Sequence, residues 1–225
     1  LNFDQDGSPI ISGFTSKDDV YDIDGVFYKK LNPKDLSPVI DLNYALPAEF
    51  ENASEAVKDG VLDSFRDYKS VVSKNGVLTI TVQESGWIGT EAVEAGDLFA
   101  IQFDTDGNII NQAILLKEQN ASGRYLKYSS YNIYSLENEV FILYNDHIKN
   151  KDVPPLEEGT DVIMTGYNAM YKVDLTQSGF KRNLLYYSGK ERFWTPLDQI
   201  YQTKDGSFIF CEESKAGIRL RKWIP

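Results

Sequence analysis

A short hairpin text returns four times along this chain, and its return constrains the fold more than any other feature. Asp4-Gln5-Asp6-Gly7 leads into Ser8–Phe14, Lys74-Asn75-Gly76 into Val77–Ser85, Glu137-Asn138-Glu139 into Val140–Asp146, and Lys204-Asp205-Gly206 into Ser207–Ser214. The turns come round about every 65 residues, and evenly spaced turns and β-rich runs are the sequence mark of repeat architectures. A second series is interleaved with the first. Val26–Leu31, Leu98–Phe103 and Ala169–Leu175 are each followed by a turn (Asn32–Asp35, Asp104–Gly107, Thr176–Gly179) and then by another extended run, at Ser37–Asn43, Asn108–Leu116 and Phe180–Tyr187. With the strands of a module lettered A to D, the A strands fall at Leu1–Phe3, Tyr68–Val72, Tyr128–Ser135 and Gln199–Thr203, and a last C strand at Ile218–Ile224. Alternation of apolar and polar residues is clearest in Leu98–Phe103 and Val77–Val82, the period of a strand with one buried face.

Four-stranded antiparallel modules in series predict an all-β, propeller-like fold of about four blades, complete or part of a larger propeller. The expectation is one domain over 1–225, with modules near 1–67, 68–127, 128–197 and an incomplete 198–225. Blades usually run about 40–50 residues, and the excess length here has one address. The A–B and C–D turns are tight. The B–C connections (Thr15–Gly25, Gly86–Gly96, His147–Asn168) and D–A connections (Tyr44–Asp67, Lys117–Lys127, Ser188–Leu197) are long. Strands that reverse at every step send all of these to one face, and a rigid scaffold with elaborated loops on one side generally binds through them. Asn52-Ala53-Ser54-Glu55 resembles a capping box and Gly60 suits a helix C-terminus, so Ala53–Asp59 is expected to form a short helix. The chain opens at Leu1 and offers no final D strand, which points to one piece of a longer propeller and leaves an edge suited to strand addition.

Composition excludes more than it assigns. With 23 basic and 34 acidic residues, the net charge of −11 repels phosphate-rich partners, so neither nucleic acid nor an anionic membrane surface is expected. No run approaches the ~20 apolar residues of a spanning helix. The chain begins at Leu1 rather than Met, with no charged leader or apolar run, so any export signal is expected either to have been removed or to lie outside this sequence. Cys211 is the one cysteine; it lies in the strand-like run Ser207–Cys211, where a small apolar side chain is expected rather than a reactive thiol.

Carboxylates recur near the ends of the B strands: Glu84, Asp146, and the pair Glu212 and Glu213. At equivalent points of successive blades they would ring a channel mouth, bind a cation or polyhydroxy ligand, or run glycoside hydrolysis at a suitable separation. The preferred reading is that they accept hydrogen bonds from neighbouring loop backbones. His147 is the only histidine, which excludes a multi-histidine zinc site within the chain. Next to Asp146 at a strand end, it is read as a loop-bracing residue rather than a general base. Asp104-Thr105-Asp106-Gly107-Asn108 has the alternating carboxylates of a calcium loop but lacks its distal Glu, and these residue types also make hairpin turns. Aromatic residues in the long loops (Trp87, Tyr125, Tyr167, Phe193, Trp194) offer flat faces for sugar rings or peptide side chains. Asn52-Ala53-Ser54 and Asn120-Ala121-Ser122 match the N-glycosylation pattern and are expected in loops. The candidate ligand-binding residues are therefore Glu84, Trp87, Asp146, His147, Trp194 and Glu212. No catalytic residue, metal ligand or cofactor is assigned.

The text Gly96–Ile109, followed by Tyr144-Asn145-Asp146-His147 and Asp205–Glu213, resembles uncharacterised propeller-like repeat proteins of the Gram-negative cell envelope. The likeness runs from about Asp63 onward and is one of blade grammar. It implies export to the periplasm, the outer-membrane surface or the medium, and carries over no active-site residue. Together these readings predict a non-enzymatic binding or assembly module of the cell envelope, recognising a protein or glycan through its long-loop face. The alternative is a glycan hydrolase or lyase working with carboxylates at the channel mouth. A third reading is that the chain only completes a larger propeller. The expected partner is a protein or the remaining blades of a longer chain, with a glycan as a further ligand.

Overall fold

The computed structural model describes residues 1–16, 23–46, 57–58, 61–62, 65, 67–88, 92–122, 128–129, 131–154, 162–163, 168–176, 179–187, 195–214 and 217–225. They form an all-β structure of four main antiparallel sheets. Sheet I runs β1 (Asn2–Phe3), β2 (Pro9–Thr15), β3 (Gly25–Leu31), β4 (Pro38–Ala45) in spatial order. A two-stranded pair, β5 (Val57–Lys58) with β6 (Val61–Leu62), follows. Sheet II is built on β7 (Lys69–Val72), β8 (Leu78–Ile88), β9 (Ala92–Phe103) and β10 (Ile109–Leu115), with β11 (Gln119–Ser122) also on β9. Sheet III joins β12 (Tyr131–Leu136), β13 (Glu139–His147), β15 (Asn168–Thr176) and β16 (Gly179–Tyr187), and β14 (Val162–Ile163) pairs in parallel with β11. Sheet IV holds β17 (Ile200–Gln202), β18 (Phe208–Ser214) and β19 (Gly217–Trp223).

Alternation along each strand builds three apolar cores, one between each pair of successive sheets. On β9, Phe99, Ile101 and Phe103 face sheet I with Ile10, Val26 and Tyr28, whereas Leu98 and Ala100 face sheet III with Tyr131, Ile142 and Tyr171. On β13, Ile142 and Tyr144 join that second core, and Phe141 and Leu143 join a third with Phe208 and Phe210 of sheet IV. Strands of sheets II and III are thus buried on both faces, at roughly 1.5–3 kcal/mol for each large apolar side chain fully removed from water.

The sheets also meet edge to edge. Asn2 on β1 donates to Ser70 Oγ on β7 at 2.9 Å, the Lys69 ammonium to the Tyr131 carbonyl on β12 at 2.7 Å, and Asn132 to the Leu197 carbonyl at 3.3 Å. The first strands of all four sheets therefore stand side by side. Their tight turns meet at one end: Gln5 donates to the Lys74 carbonyl, the Lys74 amide donates to the Glu137 carbonyl at 2.8 Å, and a Cβ on Gly206 would touch Leu136. The longer connections leave from the opposite end.

Several connections differ from the sequence expectation. Gly86–Gly96 is not a long loop: β8 and β9 continue as a ribbon to Ile88 and from Ala92, past a bulge between Gln83 and Ser85. Gly96 belongs to that ribbon because a Cβ there would overlap the Glu84 carboxylate. Asn120–Ser122, expected in a loop, is part of β11 and pairs with the first half of β9. Val57–Lys58 is extended, so the helix expected over Ala53–Asp59 does not include them; Ala53–Ala56 and Asp59 lie outside the described residues.

Candidate functional site

The end that carries the long connections holds a buried polar cluster between sheets II and III. Three strands supply it by the parity that builds the core. Lys117 continues the inward face of Ala113 and Leu115 just beyond β10, Asp146 continues that of Ile142 and Tyr144 on β13, and Arg182 follows Phe180 on β16.

Lys117 is 7% exposed; its ammonium donates to the Ala95 carbonyl at 3.2 Å and to Gln119 Oε1 at 3.0 Å, and stands 5.9 Å from the Tyr144 ring. Burial drives its pKa down to about 7, against the attraction of Asp146 and Asp97. Gln119 donates in turn to the Asn145 carbonyl, and Asn145 donates to the carbonyls of Tyr128 (2.9 Å) and Thr195 (2.8 Å). Asp146 Oδ1 accepts from the His147 amide at 2.6 Å and from Asn150 at 2.8 Å. Its Oδ2 lies 3.4 Å from the Tyr144 hydroxyl and 3.5 Å from Arg182 Nη1. Burial raises the Asp146 pKa above the usual carboxylate value, and these donors hold it back. The guanidinium of Arg182 also donates from Nη1 to the Tyr144 hydroxyl at 3.2 Å and from Nη2 to the Val153 carbonyl. A buried carboxylate raised by burial and a buried lysine lowered toward neutrality stand together here beside a guanidinium, and such displaced titratable groups are common at functional sites.

The candidate residues read from the sequence are distributed as follows. Asp146 lies in this cluster, and His147 borders it: its Nδ1 accepts from the Lys149 amide at 3.1 Å and caps the 3₁₀ turn Ile148–Asp152, while burial lowers its pKa. Glu84 accepts from the Asp97 amide at 3.3 Å in the β8–β9 ribbon. Glu212 is fully buried in sheet IV, accepting from Arg219 Nε and, at 2.9 Å, from Arg221 Nε. Glu213 accepts from the Tyr128 hydroxyl at 3.0 Å. Trp87 belongs to β8, but its side chain, like Tyr125, Tyr167, Phe193 and Trp194, lies outside the described residues. Asp104 spends both oxygens on its own turn, accepting from the amides of Asp106 (3.0 Å) and Asn108 (2.8 Å) and from the Asn108 side chain (3.0 Å). Cys211 is a half-buried free thiol. Sequence reasoning missed Lys117 and Arg182, although the signal was present: each sits two residues from a core residue of the same strand face.

No family model and no curated protein matches the chain. Among solved structures it is similar to the crystal structure of the polysaccharide lyase Uly1, at 13% identity and a TM-score of 0.43, over 96% of this chain. The chain spans 43% of the length of that protein.

Proposed function

We propose that the chain is a propeller-like, non-enzymatic binding or assembly module of the bacterial cell envelope, recognising a protein or glycan at the end that carries the long connections. One observation carries the reading: the tight turns of neighbouring sheets touch one another at one end, leaving every long connection at the other. Binding is favoured over hydrolysis or elimination because Asp146 and Glu212 are buried beside arginines and Glu84 holds its own ribbon. Such carboxylates brace the scaffold. Among the described residues β19 pairs on one side only, with β18, and its other edge is a second contact surface in this reading, suited to a further strand from a partner protein or from additional blades.

The test is a two-ended surface scan. Lys149→Ala with Asp152→Ala alters exposed residues at the long-connection end, and Lys34→Ala with Asp106→Ala alters the turn end. Capture of envelope proteins and binding to a glycan panel are expected to fall about tenfold with the first pair and stay unchanged with the second, which is the scale of about 1.4 kcal/mol at a contact. Loss of binding with the turn-end pair, or turnover of any glycan on the panel, would overturn the proposal.

A further inference from the structure

The Arg182 side chain is 3% exposed, yet its Nε has no hydrogen-bond partner. Buried donors without acceptors are rare enough in folded proteins to need a reason. The other two nitrogens are employed, Nη1 toward Tyr144 and Asp146 and Nη2 on the Val153 carbonyl. The idle Nε–H and the Nη2–H beside it form the edge of a guanidinium that fits an oxyanion side-on, with two parallel hydrogen bonds.

Arg182 also lines a cavity, although Nε itself is sealed from solvent while Nη2 holds the Val153 carbonyl. A cleft of about 530 Å³ separates the segment Lys151–Pro154 from β16, and Arg182, Lys151, Lys181, Asp152 and Phe180 line it. Three cations face one carboxylate there, although the whole chain carries a net charge of −11. Lys151 and Lys181 are exposed at the rim, and Val153, Pro154 and Phe180 supply an apolar wall. Bonds from Val153 N to the Asn150 carbonyl, from Asn150 to Asp146 and from Arg182 to the Val153 carbonyl join the segment to β13 and β16.

We infer that Arg182 is the anchor of a binding site for a single oxyanion, a carboxylate or sulfate group carried on a small ligand such as an acidic sugar. The anion replaces the Val153 carbonyl on Nη2 and gives Nε its acceptor, while Lys151 and Lys181 complement its charge from the rim. Asp146 keeps Nη1 and holds the guanidinium plane in place. The field of the acidic molecule disfavours a long polyanion, so one charged group against an apolar wall is the chemistry that fits. The site is local to sheet III and stands whether or not the long-connection end proves to be the recognition surface.

Titration of ¹⁵N-labelled protein tests it, with glucuronate, glucose and inorganic sulfate as probes and the Arg182 Nε–H resonance as readout. Glucuronate and sulfate are expected to move that resonance with saturation, and glucose to leave it in place; a shift with only one of the two anions decides between carboxylate and sulfate as the natural group. Lys151→Glu with Lys181→Glu changes two exposed residues and should weaken binding about tenfold without altering the folded spectrum. Arg182→Lys should abolish it. An unmoved Nε–H resonance at saturating anion, an equal response to glucose, or undiminished affinity in the double glutamate variant would overturn the assignment.

Discussion

Lys117 sets a pH dependence that a surface lysine would not. Its pKa falls from 10.5 to about 7 on folding because its ammonium leaves water. The unfolded chain therefore binds the extra proton between about pH 7 and 10, and stability rises with pH across that window. Below pH 7 both states hold the proton and the cost of burying it is fully present. The buried phenols of Tyr131 and Tyr144, raised well above 10 by burial, act in the opposite sense only above pH 10, where the unfolded chain ionises first. Denaturant unfolding at pH 7 and pH 9.5 should show the wild type gaining a few kcal/mol, and Lys117→Met should remove most of that slope whatever it does to the stability at either pH. An unchanged slope would place the proton elsewhere. Asp146→Asn belongs to the same scale: it leaves Arg182 buried with its charge uncompensated, and a loss of about 3–5 kcal/mol is expected in equilibrium unfolding.

At the scale of elements, turns decide what could be read in advance. Five of the A–B and C–D turns carry Gly at positive φ, at Gly7 (φ 80°), Gly76 (φ 84°), Gly107 (φ 83°), Gly179 (φ 106°) and Gly206 (φ 79°), so those hairpins are legible in the sequence, whereas Leu36 (φ 60°) and Glu137 (φ 52°) take that conformation in the other two without a residue type that announces it. Fifteen strands in the A to D series follow from those turns and from alternation between them. The β11 and β14 strands do not, because each is short and exists through a partner far along the chain. The polar cluster was hidden for a related reason. Parity shows that Lys117, Asp146 and Arg182 continue core faces, but only the stacking of sheet II on sheet III makes those faces meet. The glycine turns offer a separation of backbone from packing effects. A Cβ at Gly7 meets nothing within 4 Å, whereas one at Gly107 would sit 2.8 Å from Tyr28 and 3.0 Å from Leu42. Gly7→Ala should cost about 1 kcal/mol from its left-handed backbone alone. Gly107→Ala should cost roughly 2–4 kcal/mol, since it adds overlap with a buried tyrosine. Equal losses in thermal unfolding would mean that the turn of sheet II does not seat on sheet I as described.

For the whole molecule, the stack has two outer faces, and they are unequal. Sheet I turns Phe3, Ile11 and Val39 outward, but the exposed Lys29–Asp41 pair at 3.0 Å crosses the same side. Sheet IV turns out Tyr201, Ile218 and Leu220, the last two 71% and 74% exposed, with Cys211 opposite Leu220 in the register. The inward residues of β19 are engaged: Arg219 and Arg221 hold Glu212, and Trp223 packs on Phe208 and Phe210. Alternation thus places an apolar outer stripe on an edge strand, the combination from which unwanted association starts, and the basic residues of β19 oppose it only in part. Leu220→Lys with Ile218→Lys removes exposed apolar area and no buried contact, so unfolding free energy should move by less than about 0.5 kcal/mol for each change. Light scattering at rising protein concentration should instead show weaker self-association than the wild type, and attachment of a partner at β19 should weaken in parallel. If the double lysine variant unfolded several kcal/mol more easily, the outer face of sheet IV would be packed against part of this same chain, and the stack would not end there.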